Sequence, residues 1–206
     1  MLETNRNLIT AAGIPGWMLD QELKQLADWA QCHTGPHSVI VECGSFAGRS
    51  TYALAAHSHA DSLIYCYDQF PNTVVSPTRN RQTLGQAIEE TGLLRVGDQV
   101  DFLKLFRSNL QEFSHVHAIP CVLPLTDFVP SSIDFFFFDL SHHNPVDRLT
   151  LKVFLPNFAP DAFICGHDYG FSFWPDVVLN AEWLAQLLDR PVLRGAGSLW
   201  YLKPRT

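Results

Sequence analysis

Apolar and polar positions along this chain fall into two alternating rhythms. In "DQELKQLADWAQCH", Leu23, Leu26, Ala27 and Ala30 recur at helical spacing behind a capping Asp20, which predicts a helix with one apolar face. "SVIVEC" is a short, β-branched apolar run and reads as a buried strand. "RSTYALAAHS" reads as the helix after it, and "LIYCYD" as the next strand, ending in Asp68. From Gln69 to Val96 the pattern weakens: "PNTVVSPT" is loop-like and "RNRQTLGQAIEET" helical. "DQVDFLKLFRSNLQEF" sets Val100, Leu103, Phe106 and Leu110 on one side, the mark of an amphipathic helix. "VHAI" is a weak strand and "IDFFFFDL" a strong one. "PVDRLTLKVFLPNF" starts a helix at Pro145, a residue favoured in a first helical turn. "DAFICGHD" is a further strand, "PDVVLNAEWLAQLLD" a helix, and "SLWYLK" the closing strand.

Strands that alternate with helices of crossover length predict an α/β fold, a doubly wound, mostly parallel sheet with helices on both faces. No internal repeat or low-complexity tract interrupts the order. "TGPHS" near residue 36 divides it into an N-terminal helical segment, 1–35, packing on the core, and one domain, 36–206.

Composition narrows the partners. The 206 residues are 47% hydrophobic and carry a net charge of -7, with no Lys/Arg cluster. That is enough apolar material for one sizeable core, and it argues against a nucleic-acid partner, which normally demands a basic face. The five cysteines, Cys32, Cys43, Cys66, Cys121 and Cys165, form no C-x-x-C pair and read as small hydrophobes in a reducing compartment. The start has no basic region followed by an apolar one, and no run is long enough to span a membrane. The expectation is a soluble cytoplasmic protein without a membrane partner.

In open α/β sheets ligands bind beyond the carboxyl ends of the strands. Four strand ends here carry chemistry: Gly44, Ser45 and Gly48 after the first, Asp68 after the second, Asp139 and His142–His143 after "IDFFFF", and Gly166-His167-Asp168 after "DAFIC". The glycines would let a ligand lie against the backbone, with helix N–H groups to meet a carboxylate or phosphate. A bare G-x-x-x-G equally fits a tight strand–helix turn with no ligand, and neither a dinucleotide fingerprint, a P-loop nor a nucleophile elbow is present. Asp68 stands 24 positions after Gly44, where an acid can accept hydrogen bonds from a ribose diol; the bland alternative is a solvated turn acid. Asp139 follows four phenylalanines, so its carboxylate must be paired, solvated or bound to a cation. Asp139, His167 and Asp168 would together hold a divalent ion, or the His-Asp pair orients a loop.

Taken together, Val41–Thr51 ("VECGSFAGRST"), Ile133–His142 ("IDFFFFDLSH") and Gly166–Tyr169 ("GHDY") resemble the class I S-adenosylmethionine-dependent methyltransferases, and within them the small-molecule O-methyltransferase-like group of family 24 type. "GWM" near residue 16 and the terminal "GSLWYLKP" fit the same group. The resemblance implies a Rossmann-like seven-stranded sheet with the last strand antiparallel. It implies S-adenosylmethionine as cofactor, with Gly44, Ser45 and Gly48 against its methionine part and Asp68 on the ribose hydroxyls. Glu42 would support the loop or reach the methionine amine through it, and Ser50 and Thr51 would lie beneath the cofactor. Arg49 would either approach the cofactor carboxylate or buttress the loop.

Related metal-dependent enzymes place ligands at Asp139, His167 and Asp168, so Mg²⁺ or another divalent metal is implied, although His167 replaces an acid. Asp139 would also touch the cofactor, and His142 would be the general base that takes a proton from a hydroxyl of a small-molecule acceptor. Leu140 stands where the group has Gly, and Asp161-Ala162 replaces its usual Gly-Gly turn. Trp17, Phe70, Tyr169, Phe171, Phe173 and Trp174 either wall the acceptor pocket or serve as core and subunit contacts, and exposed aromatics near the C-terminus point to a homodimer. Two other readings stand beside this one: a non-catalytic S-adenosylmethionine-binding protein, and a metal-dependent hydrolase.

Overall fold

The computed structural model describes residues 2–74 and 97–204. Six α-helices are described: α1 (Leu2–Ala12), α2 (Asp20–His33), α3 (Arg49–His57), α4 (Phe102–Asn109), α5 (Val146–Phe154) and α6 (Pro175–Leu188). Nine strands accompany them: β1 (Val39–Cys43), β2 (Leu63–Asp68), β3 (Asn72–Val74), β4 (Gln99–Asp101), β5 (Val116–Pro120), β6 (Ile133–Phe138), β7 (Phe158–Gly166), β8 (Val192–Arg194) and β9 (Trp200–Leu202). Seven form one sheet in the order β5-β2-β1-β6-β7-β9-β8, and β3 with β4 makes a separate antiparallel hairpin. β9 runs antiparallel to both its neighbours, while the pairs among β5, β2, β1, β6 and β7 are parallel. The expected doubly wound sheet with its last strand antiparallel is therefore present.

The phenylalanine run shows why such a sheet must be covered twice. Alternate strand residues point to opposite faces. Phe135 and Phe137 enter one buried cluster with Leu23 and Leu26 of α2 and Leu54 of α3, whereas Phe136 and Phe138 enter another with Leu151 and Phe154 of α5 and Leu184 of α6. The N-terminal helices are part of the first cluster, and α1 and α2 both pack on α3.

Three boundaries differ from the sequence reading. Asp20 is the first residue of α2 and is exposed, not its cap; the Glu22 side chain instead accepts from the Leu19 N–H at 2.8 Å. The segment read as one helix from Asp98 opens with β4, and Asp101 caps α4 by accepting from the Lys104 N–H at 2.9 Å. β8 and the β3–β4 hairpin carry no clear apolar rhythm, since each strand is three residues long. The helix expected within "RNRQTLGQAIEET" lies outside the described residues. Cys43, Cys66 and Cys165 are buried as expected, but Cys32 is exposed; all five thiols are free. No helix among the described residues is long and apolar enough to cross a membrane.

Candidate active site

The chain runs outward from β1 to β2 and β5, then returns to β6 on the other side of β1. That reversal opens a crevice at the carboxyl ends of β1 and β6, where ligands bind in folds of this kind. A cavity of about 750 Å³ lies there, lined by Gly44, Ser45, Phe46, Arg49 and Ser50 from the glycine turn, Asp68 from β2, and Asp139, His142 and Asp168 from the β6 and β7 ends. The segment joining α1 to α2, Pro15 to Met18, forms another wall.

The glycines are required first by the protein itself. Gly44 has φ +92°, and a Cβ there would stand 1.7 Å from the Asp139 carbonyl oxygen. Gly48 has φ +94°, and a Cβ there would stand 2.7 Å from Leu110 Cδ2. The turn is thus pressed between the β6 end and α4. Beneath it, Glu42 is fully buried and accepts hydrogen bonds from the Ser50 and Thr51 hydroxyls. Burial pushes its carboxyl above the usual range, and the hydroxyls only partly offset that. Glu42 and Thr51 do not line the cavity; they hold the turn from below. Gly48 does not line it either.

Asp68 is both a wall of the cavity and a tie. Its Oδ2 accepts from the Phe46 N–H at 2.8 Å and its Oδ1 from the Phe70 N–H at 2.9 Å. Each carboxylate oxygen retains a lone pair for a further donor. Phe46 and Phe70 both adopt φ above +40°, as do His142 (+65°) and Asp168 (+61°). Left-handed backbone at non-glycine residues costs on the order of 1–3 kcal/mol each and gathers at functional sites. Here three of those four residues line the cavity.

The β6 and β7 ends carry a chain of alternating charge. His142 Nε2 contacts Asp168 Oδ2 and lies 3.4 Å from Asp139 Oδ1, while Nδ1 faces the Leu140 carbonyl at 3.1 Å. His167 Nδ1 lies 3.5 Å from Asp139 Oδ2 and 3.4 Å from Asp168 Oδ2, and its Nε2 is 3.1 Å from Glu22 Oε2. Burial alone would discharge both imidazoles, but the carboxylates around them reverse the sign: His142 is raised, and His167 is raised well above its ordinary value. Asp139 is itself raised by burial, while Asp168 is lowered because the hydrogen bonds and charges of the two histidines outweigh its burial.

Of the expected metal set, Asp139, His167 and Asp168, the structure brings the two acids to the cavity and not His167. Both nitrogens of His167 face carboxylates, and the residue lies behind the cavity wall, not on it. Among the described residues, the three side chains whose ligating atoms converge, all within 4.8 Å of one another, are Asp139, His142 and Asp168. Two carboxylates and an imidazole, part-buried at the edge of a cavity, are a donor set that fits a divalent cation.

A sequence model of a methyltransferase domain family, family 24, matches residues 41–169, from β1 to the β7 end. The chain belongs to that methyltransferase family. The family 24 methyltransferase reading of the motifs is borne out. No curated protein matches the chain. Among solved structures, an rRNA methylase from Streptococcus thermophilus is similar at 16% identity, covering 92% of this chain and 100% of that one, with a TM-score of 0.58. The O-methyltransferase NovP is similar at 14% identity, over 88% and 76% of the two chains, with a TM-score of 0.55. The Streptococcus mutans protein SMU.1697c in complex with SAH is similar at 14% identity, over 91% and 100%, with a TM-score of 0.56. At these identities the likeness is one of fold.

The matched segment leaves out two contributions to this methyltransferase site. One is the aromatic wall. Of the six aromatics considered, Trp17 and Trp174 line the cavity; Trp17 packs on Phe46 at 5.2 Å and Trp174 on His142 at 5.0 Å. Phe70 is core, packed on Phe106. The Tyr169 hydroxyl donates to Glu182, and Phe171 and Phe173 are exposed outside the cavity.

The other is Glu22, which sequence reasoning missed. Its Oε1 accepts from the Ser198 N–H and hydroxyl at 2.7 and 2.9 Å, and a Cβ on Gly197 would stand 2.2 Å from that oxygen. Although its burial opposes ionisation, His167 and two backbone N–H groups bring Glu22 down to about 2. The available signal was its place four residues before Leu26, on the buried stripe of α2. Asp147 was also missed: it accepts from the Ser141 hydroxyl at 2.6 Å and so ties the turn that carries His142.

Proposed function

We propose that the chain transfers the methyl group of S-adenosylmethionine to a hydroxyl of a small-molecule acceptor, with His142 taking the proton. The observation that carries this reading is the convergence, in one cavity of a methyltransferase domain, of a β2-end acid, a glycine turn and a His–Asp pair. The sulfonium methyl is already activated, so the protein must chiefly align an oxygen with it and remove a proton. Asp68 would accept from the ribose hydroxyls while it holds Phe46 in the turn. His142 Nδ1 faces the Leu140 carbonyl and Nε2 faces the Asp168 carboxylate; with its proton on Nδ1, the neutral ring would take the acceptor proton at Nε2, and Asp168 would stabilise the imidazolium that forms. Trp17 and Trp174 would flank an acceptor ring or sugar.

Asp139 and Asp168 are the residues that would hold a divalent cation, with His142 as a third ligand or as the base but not both, because Nε2 would have to serve either role. A cation bound there would lower the pKa of the acceptor hydroxyl and orient it. A small molecule is favoured over nucleic acid because the chain is acidic and the cavity is lined by a single arginine among the described residues.

Calorimetric titration of S-adenosylhomocysteine into the wild type, Asp68→Ala and His142→Ala, with and without Mg²⁺, tests the reading. Binding that Asp68→Ala weakens by at least about tenfold and His142→Ala leaves unchanged is the expected result. On an acceptor identified by screening, His142→Ala should lower turnover by about a hundredfold or more. No binding to the wild type in either condition would overturn the donor assignment. Loss of cofactor binding in His142→Ala would overturn the role given to that residue.

A further inference from the structure

Glu22 is a buried carboxylate that touches no part of the cavity, yet its partners come from three separate segments. Oε1 accepts from the Ser198 N–H and hydroxyl in the β8–β9 connection, Oε2 accepts from the Leu19 N–H, and Oε2 also faces His167 Nε2 at 3.1 Å. Gly197 leaves the room this needs, since a Cβ there would stand 2.2 Å from Oε1. Capping α2 does not account for the burial. A cap needs one bond at a helix end, and taking a carboxylate out of water costs more than that bond returns.

The other nitrogen of His167 supplies a reason. Nδ1 lies 3.5 Å from Asp139 Oδ2 and 3.4 Å from Asp168 Oδ2. Both separations exceed the about 2.9–3.0 Å of a well-made N–H···O bond, so Nδ1 is shared between the two acids and committed to neither. The same two acids face His142 Nε2 on the cavity side, through Asp139 Oδ1 and Asp168 Oδ2. Asp139 and Asp168 therefore stand between two imidazoles, one lining the cavity and one behind it. The front ring and both acids are part-exposed, whereas His167 and Glu22 are 5% and 3% exposed. The fixed end of this chain of contacts is the rear one, and Glu22 fixes it.

We infer that Glu22 is a positioning residue of the site: by anchoring His167 it holds Asp139 and Asp168 in register with His142. Its consequence for catalysis rests on the methyl-transfer reading above. Glu22 and Ser198 both lie outside the matched segment 41–169, so α2 and the C-terminal connection reach the reacting groups through this one side chain. Without the anchor, the shared Nδ1 is free to settle on one acid and release the other. A displacement of about 1 Å at such a site costs on the order of a hundredfold in rate.

The first readout of the test needs no ligand. Ring-nitrogen NMR of His142 in the free protein, assigned by its loss in His142→Gln, is compared at one pH among wild type, Glu22→Gln, His167→Gln and Ser198→Ala. Ser198→Ala removes a hydroxyl bond to Glu22 but not the His167 contact, so it reports the structural role alone. The His142 Nε2 signal should move in Glu22→Gln and His167→Gln and stay in Ser198→Ala. The second readout is turnover on the acceptor found by screening. In Glu22→Gln, kcat should fall by about ten- to a hundredfold with KM and S-adenosylhomocysteine affinity within about twofold. His167→Gln should match it, and the double variant should fall no further than either single one. Urea unfolding reports that each variant is folded. An unmoved His142 signal in Glu22→Gln, a move of equal size in Ser198→Ala, or an unchanged kcat in Glu22→Gln overturns the inference and leaves the methyl-transfer reading standing. Failure of the wild type to bind S-adenosylhomocysteine overturns that reading and the catalytic role with it. The two failures are told apart because the ring signals require no ligand.

Discussion

Two glutamates are buried within reach of the same cavity, and they are treated in opposite ways. Glu42, under the glycine turn, is met only by neutral hydroxyls, and its carboxyl is held above the ordinary range. Glu22, behind the β7 end, is met by His167 and by the backbone N–H groups of Leu19 and Ser198, and it is held at about 2. Burial acts on both in the same direction. The partners decide the sign: a facing cation and aimed N–H donors overcome desolvation, and hydroxyls do not. One side of the site is therefore a rigid, weakly charged floor. The other is a run of paired charges joining α2, the C-terminal β8–β9 connection and two of the cavity's acids, Asp139 and Asp168.

The sharpest break of that contrast is Glu22→Ala. It leaves His167 buried with one carboxylate partner gone and strips the Ser198 and Leu19 donors of their acceptor. Removing one partner of a buried ion pair costs about 3–5 kcal/mol, and urea unfolding at pH 7 should show a loss of that size. Glu22→Gln keeps the acceptor for Ser198 and should lose less. The sign with pH follows from the depressed carboxyl. Its stabilisation is complete above the unfolded value of 4.5 and is lost as pH falls toward about 2. The gap between wild type and Glu22→Gln should therefore narrow across that window. A constant gap would show that the Glu22 charge contributes nothing to stability.

A smaller effect is expected at the turn. Gly44→Ala sets a methyl group against the Asp139 carbonyl and asks a non-glycine residue to hold φ +92°. Overpacking of this kind costs about 1–3 kcal/mol, read by the same unfolding experiment. Because the atom it would displace belongs to Asp139, S-adenosylhomocysteine affinity should fall along with stability. Retained affinity would mean that the cavity tolerates movement of the β6 end.

The glycine turn also shows where sequence reading stops. Its position between strand and helix was legible, as were the acids at the β2 and β6 ends, because strand and helix rhythms fix which residues arrive at the carboxyl edge. Two explanations of the glycines were open, a ligand or a tight turn. The structure adds a third cause, the close approach of Asp139 and Leu110, which are far away in sequence and visible only once the chain is folded. That His167 stays behind the cavity wall, while His142 lines the cavity, was hidden for the same reason. Both stand near strand ends in the sequence, and only the fold turns one toward the cavity and the other toward Glu22. β8 was missed because three residues, two of them exposed, leave no apolar pattern to read.

The smallest expected effect lies on the floor and tests the other half of the contrast. Glu42→Gln keeps the shape and the acceptor oxygen that Ser50 or Thr51 needs, and gives up the ionisable proton. A carboxyl whose folded value is raised stays protonated in the native state at a pH where the unfolded chain has released the proton. Stability contributed by Glu42 therefore declines as pH rises above 4.5 and through the raised folded value. Glutamine has no such slope. Near pH 5 the two proteins should differ by less than about 1 kcal/mol, and Glu42→Gln should gain on wild type as pH rises toward 8. Thermal or urea unfolding at several pH values reads the difference directly. If Glu42→Gln instead lost ground with rising pH, the carboxylate would be the stabilised form, and the floor would share the electrostatics of the Glu22 wall.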